Sequence, residues 1–268
     1  MNCYSILKKL TLSAILLIFV PFLSVASIII LNGLTHENQV QAGETYRGSI
    51  QIQNASEKNR SARIYQRDYW FSYTGESKHD PAGTMERSNA GWITFNPELI
   101  NLAPNEKATI NFEVSVPEGE SLSGTFWSVL MVEGIVPPDT TDYSSGVTIN
   151  TAIRYAIQIV TNIGETGTSD IQFLGLELGE QEETTLLHVA LENTGERMLR
   201  PELAVELFDE AGNSAGILKA ERRKTFPGTS VLITLRLEGI KPGNYTGVLV
   251  ADCDKDHVFG TNVSFEIG

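Results

Sequence analysis

The amino-acid sequence predicts an all-β chain folded as two tandem β-sandwiches, and three observations carry that prediction. Apolar residues alternate with polar ones at period two through most of the chain, as Ile50 and Ile52 do between Gln51 and Gln53, the pattern of a strand with one buried face. No window of about 12 residues carries the 3.6-residue apolar stripe of an amphipathic helix. Turn chemistry punctuates the alternating runs at the spacing of sandwich strands: Asn193-Thr194-Gly195, Asp209-Glu210-Ala211-Gly212, Pro227-Gly228 and Pro242-Gly243-Asn244, where Gly supplies positive φ and Pro pre-sets the first turn dihedral.

The chain opens MNCYSILKKLTLSAILLIFVPFLSVAS. Lys8 and Lys9 precede an uncharged apolar run, and Ser24-Val25-Ala26 places small residues where a signal peptidase cuts, so residues 1–26 read as a secretory signal peptide. A retained membrane anchor is the other reading, although the run from Leu10 to Ala26 falls short of a bilayer span of about 20 residues. No Cys follows the run to carry a lipid. Cleavage removes two lysines and no acid, taking the net charge from −13 to −15, a balance that repels nucleic acid and anionic lipid. Cys3 leaves with the signal and Cys253 is left alone, so no disulfide forms within the mature chain and stability has to come from packed cores.

Along the mature chain the runs follow in order. YRGSIQIQN is followed by the turn-like NASEKN. In INLAPNEKATINFEVSVPEG, Ile100 to Gly119, one strand ends at Leu102, the Pro-Asn turn reverses the chain, and the next strand turns Ile110, Phe112, Val114 and Val116 to a core. TFWSVLMVEG and, after a Pro-Pro-Asp break, VTINTAIRYAIQIV complete the first sandwich, expected over residues 27–166. The polar, glycine-containing TNIGETGTSD, Thr161 to Asp170, marks a joint. TTLLHVALEN, ELAVELFDE, SVLITLRLEG, NYTGVLVAD and NVSFEI build the second, expected over residues 167–268. Trp70, Trp92 and Trp127 all fall in the first half, read as core anchors with an exposed binding platform as the alternative. The long stretch FSYTGESKHDPAGTMERSNAG is a functional loop or a tolerated insertion.

Catalytic chemistry finds little purchase. His36, His79, His188 and His257 are the four candidate bases, and the chain has no GxSxG elbow, HExxH, Walker loop or GxGxxG. No cofactor and no metal are expected, and the reading is a non-enzymatic one. Asp252, Asp254 and Asp256 alternate like the start of a calcium loop, but His257 stands where that loop needs Gly and Val263 where it needs Glu. A polar turn is the simpler reading, with Cys253 buried at a strand end. The sequons NAS, NYT and NVS matter only in a glycosylating host.

Two stretches point to recognition. In INTAIRYAIQIVTN, Ile149, Ile153, Tyr155, Ile157 and Ile159 share one face and Asn150, Ala152, Arg154, Ala156 and Gln158 the other. A long final strand of this kind at a sheet edge could pair with a partner strand along Asn150 to Val160, and a central strand with one solvated face is the alternative. In ARIYQRDYW, Arg63, Tyr65, Arg67 and Tyr69 alternate on one face, as a ligand-stacking stripe or an ordinary outward face.

The order of segments in the first half, from YRGSIQIQNAS through RIYQRDYWF, WITFNPELINLAPNEKATINFEVSVPEG and GTFWSVLMVEG to RYAIQIV, resembles the amino-terminal immunoglobulin-like domain of periplasmic pilus chaperones, and equally the paired immunoglobulin-like domains of WxL-interacting surface proteins. The resemblance rests on Pro97 before a strand, the Leu102-Ala103-Pro104-Asn105-Glu106 turn, the Val116-Pro117 strand end and Tyr155-Ala156-Ile157. The first family implies edge-strand pairing with a pilus-type subunit and a basic clamp for a terminal carboxylate, to which Arg154 near the joint would correspond. The second implies binding of wall polymer or of a partner surface protein; its members normally end in a membrane span, whereas this chain ends NVSFEIG, a soluble or peripherally held relative. The expectation is thus an exported, extracytoplasmic binding protein of the periplasm or cell surface. It would act as a chaperone-like assembly factor on another envelope or surface protein, with cell-wall polymer or glycan as the alternative ligand. Arg154, Tyr155, Ile157 and Ile159, or Arg63, Tyr65, Arg67 and Tyr69, would make the contact. No nucleic acid is expected, and no membrane except through an uncleaved signal.

Overall fold

The computed structural model describes residues 27–119, 121–135, 153–182, 184–254 and 256–268. Residues 1–26, read above as a signal peptide, and residues 136–152, with the Pro-Pro-Asp break, Ile149 and Asn150, lie outside the described residues. The first half carries strands β1 (Ile28–Ile30), β2 (Thr35–Val40), β3 (Thr45–Asn54), β4 (Arg60–Arg67), β5 (Trp70–Phe71), β6 (Ser77–Lys78), β7 (Ile93–Asn96), β8 (Leu99–Leu102), β9 (Lys107–Ser115), β10 (Gly124–Ile135) and β11 (Arg154–Ile163). They form a four-stranded sheet, β1-β3-β9-β7, facing a five-stranded sheet, β2-β11-β10-β4-β8, with β5 and β6 as a separate hairpin. The second half carries β12 (Ile171–Gln181), β13 (Thr184–Asn193), β14 (Glu202–Phe208), β15 (Ser214–Lys219), β16 (Ser230–Arg236), β17 (Gly243–Asp252) and β18 (Val258–Ile267). These make a β12-β13-β16 sheet over a β15-β14-β17-β18 sheet. The chain is therefore all-β, two immunoglobulin-like sandwiches in tandem.

Each sandwich closes around the faces that the alternation marks out. In β9, Ile110, Phe112 and Val114 are buried, joined by Val116, and they meet Ile50 and Ile52 of β3 and Leu130, Val132, Ile157 and Ile159 of the opposite sheet. The turn before β9 is held by its own residues: Glu106 Oε2 accepts from the Ala103 N–H at 2.6 Å, and Asn105 takes the left-handed conformation, φ 62°, which Asn tolerates. The second core gathers Leu187, Val189 and Leu191 against Leu203, Val205 and Leu207. One turn differs from expectation: β17 begins at Gly243, so Pro242-Gly243-Asn244 leads into the strand, and the chain reverses earlier, around Gly239 at φ 77°.

The amino-terminal chain staples the first sandwich. Ile28–Ile30 pair with β3; Leu31–Leu34 then cross to the other sheet, and β2 runs parallel to β11, Thr35 opposite Gln158 through Val40 opposite Ile163. One segment thus belongs to both sheets and ties them independently of side-chain packing.

Both sandwiches end a ten-residue strand, β3 and β13, on the same device. Asn54 and Asn193 are fully buried. Asn54 Nδ2 donates to the carbonyls of Lys58 at 2.7 Å, Leu102 at 3.2 Å and Ala103 at 2.9 Å, and its Oδ1 accepts from the Ser56 N–H at 3.0 Å. Asn193 Nδ2 donates to the carbonyls of Arg197 at 2.7 Å and Thr225 at 3.2 Å, and its Oδ1 accepts from the Gly195 N–H at 3.0 Å. In each case an Asx turn closes on the strand while the amide satisfies carbonyls of a neighbouring loop. The NAS sequon is therefore structural, its acceptor nitrogen enclosed. A buried carbonyl left without a donor costs about 1–3 kcal/mol, so Asn54→Ala is expected to lower stability by about 3–5 kcal/mol and Asn193→Ala by about 2–4 kcal/mol in urea unfolding. A loss below about 1 kcal/mol for Asn54→Ala would contradict this role.

Candidate functional site

The sequence candidates converge on the outer face of the five-stranded sheet. The ladder sets Glu133 of β10 opposite Arg63 of β4 on one side and opposite Arg154 of β11 on the other. Glu133 lies beneath both, its side chain 12% exposed, while the arginines are about 60% exposed. Arg63 Nη2 donates to Glu133 Oε2 at 3.0 Å and Arg154 Nε to Oε1 at 2.9 Å. These bonds, that of Arg63 foremost, hold the Glu133 carboxyl below its ordinary value against a burial that pushes it up. Arg63 and Arg67 both lie over the Tyr65 ring, at 5.3 and 5.6 Å from its centroid. The result is a shallow depression of about 420 Å³ lined by Arg63, Tyr65, Arg67, Glu133 and Arg154. Arg67 has no carboxylate partner among the described residues.

This geometry corrects two expectations. Tyr65 is covered by arginines, so its ring is not an open platform for stacking a sugar. Tyr69 does not share the face: β4 ends at Arg67, Asp68 turns fully inward, and the Tyr69 ring packs against Phe71 and stacks on His79 at 5.1 Å. Asp68 organises the long loop, its carboxylate accepting from the N–H groups of Gly83 at 3.1 Å, Thr84 at 2.8 Å and Met85 at 2.8 Å and from Ser88 Oγ at 2.5 Å. The loop is thus built rather than loose.

β11 is neither wholly an edge nor wholly a central strand. One side pairs with β10 throughout; the other pairs with β2 only from Gln158 to Ile163. Over Arg154–Ile157 no described strand takes that second side, so edge pairing over the whole stretch to Val160 is excluded by β2. Gln158 N–H donates outward to Leu34 O at 2.9 Å, whereas the Ile153 carbonyl faces β10, accepting from Gly134 N–H at 3.3 Å. The period-two alternation then points the N–H and C=O of Arg154 and Ala156 to the open side and those of Tyr155 and Ile157 to β10. The side chains of Ile157 and Ile159 are fully buried in the core and Tyr155 packs on it, so none of the three offers a partner a free side chain. Leu34 and Ile153, exposed, flank the open stretch.

Arg154 is not one of the cations that make the joint. It begins β11, four residues and about 13 Å, at about 3.3 Å per residue, before Gln158, where the second sandwich makes contact. Both sandwiches supply cations there: Arg87 pairs with Glu196 at 3.0 Å, Arg197 with Glu165 at 2.9 Å, Arg200 with Glu37, and Lys224 Nζ donates to Thr35 Oγ1 at 3.1 Å and Gln158 Oε1 at 3.3 Å. Arg197, Arg200 and Arg222 line a cleft of about 320 Å³ with Glu37, Asn162 and Cys253. Burial, with Arg200 adding, lowers the Lys224 pKa.

An aromatic contact closes the joint. Phe226, in the turn before β16, is fully buried against Trp127 and Val160, its ring stacked on the indole at 4.8 Å and 15°. Trp127 Nε1 donates to Tyr69 O at 2.7 Å, and Trp70 Nε1 reaches Gly228 O of the second sandwich at 2.7 Å. Trp92 packs on the first core beside Phe126. Backbone also meets backbone: a Cβ on Gly124, at φ 75°, would lie 2.2 Å from Glu196 O, and one on Gly167, at φ 87°, 2.6 Å from the Gly124 Cα. Only glycine fits there.

The four histidines stand apart. His36 edges onto Phe112, His79 stacks on Tyr69, His188 Nδ1 meets Thr234 Oγ1 at 2.9 Å, and His257 Nδ1 meets Asp254 Oδ1 at 2.8 Å. Asp254 also accepts from the Asp256 and His257 N–H groups, a polar turn between β17 and β18. Cys253 is buried, its thiol pushed up to about 12, the state of a structural rather than a reactive cysteine.

No family model and no curated protein matches the chain. The fold resembles that of solved pilus chaperones. A chain of the chaperone–tip adhesin complex of CFA/I fimbriae biogenesis is 12% identical, with 88% of this chain and 98% of that chain covered and a TM-score of 0.48. The E. coli chaperone DraB is 12% identical, with 91% and 98% covered and a TM-score of 0.43. A chain of the chaperone–tip adhesion subunit pre-assembly complex of the archaic Csu pili of Acinetobacter baumannii is 11% identical, with 89% and 98% covered and a TM-score of 0.42. At these values the likeness describes the fold, and the functional argument rests on this chain's own residues.

Two outcomes are expected. Because the folded pKa of Glu133 lies below its unfolded value, the Arg63–Glu133–Arg154 cluster stabilises the fold above the ordinary carboxylate range and loses that contribution as pH falls through the depressed value. A carbon-13 titration should place the Glu133 midpoint below that of exposed glutamates, and Arg63→Gln should raise it; an unchanged midpoint would refute the coupling. At the joint, Phe226→Ala should speed cleavage after Glu165 by a glutamate-specific protease by about tenfold or more: the Glu165 side chain is exposed, but Ile163 and Gly164 beside it are buried, so the backbone can enter a protease only when the joint opens locally. Equal rates would show that the stack does not hold the halves together.

Proposed function

We propose that the chain is an exported, non-enzymatic assembly factor of the cell envelope that holds a partner protein by strand pairing along the open side of Arg154–Ile157. The observation that carries this is the half-covered strand: β2 stops at Thr35, opposite Gln158, leaving the hydrogen-bonding groups of Arg154 and Ala156 facing outward with no described strand beside them. An unpaired edge of this kind templates the backbone of an extended segment, and the exposed Leu34 and Ile153 at its ends supply apolar contact. A chaperone-like role follows, because a partner that must receive a strand is one whose own sheet is incomplete. The acidic chain and its signal-like start favour a partner met outside the cytoplasm. The covering of Tyr65 by Arg63 and Arg67 favours a protein over a neutral wall glycan.

The test follows from strand geometry. Ala156→Pro removes an outward N–H and no ladder bond to β10, so the sandwich should keep its thermal midpoint to within about 3 °C, as prolines at free edges do. Capture of envelope proteins from the source cell by the tagged protein should fall by about tenfold or more. Undiminished capture by a folded Ala156→Pro protein would overturn the proposal. Ile157→Pro would instead break the inner ladder and a core position.

A further inference from the structure

The outer face beside the open edge carries a charge pattern that the strand-pairing reading leaves unused. A strand laid along Arg154–Ile157 extends the five-stranded sheet by one, and its side chains alternate between two surroundings. Those on the core side meet Tyr155, Ile157 and the exposed Ile153 and Leu34, an apolar row. Those on the outer side stand beside Arg154 and Ala156, with Glu133 and Arg63 in the same row and Tyr65 and Arg67 next to it. Directly opposite side chains in such a pair lie about 4.5–5.5 Å apart and diagonal ones about 7–8 Å.

This outer row is cationic on a chain of net charge −13. Its three guanidinium groups face one carboxylate, and that carboxylate is consumed: Glu133 takes Nη2 of Arg63 and Nε of Arg154. The other terminal nitrogens of both arginines, and the whole guanidinium of Arg67, have no hydrogen-bond partner among the described residues. Glu133 and the Tyr65 ring hold the arginines in a row, so less side-chain freedom is lost on meeting an anion than for a free surface arginine. A planar fork with free N–H donors matches a carboxylate.

We propose that the segment captured at this edge alternates apolar residues, turned to the core side, with aspartate or glutamate turned to the Arg154, Arg63 and Arg67 face. The inference rests on the strand-pairing reading and adds the chemistry of the partner: the open backbone gives the register, Leu34 and Ile153 select the apolar parity, and the arginines select the acidic one. A segment with lysine at the outer positions is repelled by the same face.

The test compares two fluorescein-labelled peptides of about ten residues, one alternating Val with Glu and one alternating Val with Thr, by fluorescence anisotropy on the exported chain at low salt. The Glu peptide is expected to bind about five- to tenfold more tightly, a preference that shrinks as NaCl is raised to about 0.5 M. Arg154→Gln, at the residue beside the captured strand, should remove most of that preference while leaving the Thr peptide unaffected; Arg67→Gln, two strands further in, should reduce it less, and Ala156→Pro should weaken both. Equal affinity for the two peptides, or a preference that survives Arg154→Gln undiminished, overturns the acidic-partner inference and leaves strand pairing standing. If neither peptide binds the folded protein, the strand-pairing reading fails and this inference with it.

Discussion

How far the amino-terminal chain reaches along β11 decides how much of that strand is covered. Ile28–Ile30 belong to one sheet and Thr35–Val40 to the other, so Leu31–Leu34 are spent crossing between layers and cannot pair with β11. The crossing ties the sheets together, and it also leaves Arg154–Ile157 without a second neighbour among the described residues. Stability and exposure come from one event: a longer β2 would close the edge, and a shorter one would loosen the sandwich. An open edge is usually a hazard, met by proteins with charge or with brevity. Here, among the described residues, it is four residues long and begins with Arg154, short and charged as such edges usually are.

The outer arginines are organised by one acid. Glu133 sits below them, and each of its oxygens takes a different guanidinium. Exposed ion pairs contribute little to stability, about 0–1 kcal/mol, so the value of the arrangement lies in orientation. At the other end of β11 the joint follows a different logic. Phe226 stacks on Trp127 in a dry contact, glycines let backbones touch, and Arg197 and Arg200 close the rim onto Glu165 and Glu37. The two ends of one strand are therefore built differently, an arginine pair on a shared acid at Arg154 and domain coupling from Gln158 to Ile163.

Much of the fold was legible in the sequence because it is written in side-chain alternation. Ile110, Phe112 and Val114 face the core as their period-two spacing requires, and the turns at Asn105 and Asp209 carry the residues that their dihedrals demand. Legibility failed where a property belongs to several strands at once. Tyr69 continues the Arg63–Tyr65–Arg67 parity on paper, but the buried Asp68 turns the chain out of the sheet to gather the loop at Gly83–Ser88. Arg154 looks close to the joint when residues are counted from the boundary, yet the extended strand sets it about 13 Å short of Gln158, where the second sandwich makes contact. The joint itself was missed, since Phe226 reads as one more turn residue; the matching pair Asn54 and Asn193, each closing a strand onto an Asx turn, was a signal available to a comparison of the two halves.

By itself the sequence determined which side chain faces in and which faces out along each strand, because that choice depends only on the residue types and the two-residue period. From this come the all-β class, the two cores and the absence of any familiar catalytic motif. Which strands are neighbours was decided only by the tertiary structure. Nothing in the composition of β2 announces that it will lie parallel to β11 from Gln158 onward, or that Glu133 will stand between Arg63 and Arg154. Register between distant segments is a collective result of packing two sheets and closing one joint, and the edge at Arg154–Ile157, open among the described residues, exists only as what that packing leaves uncovered.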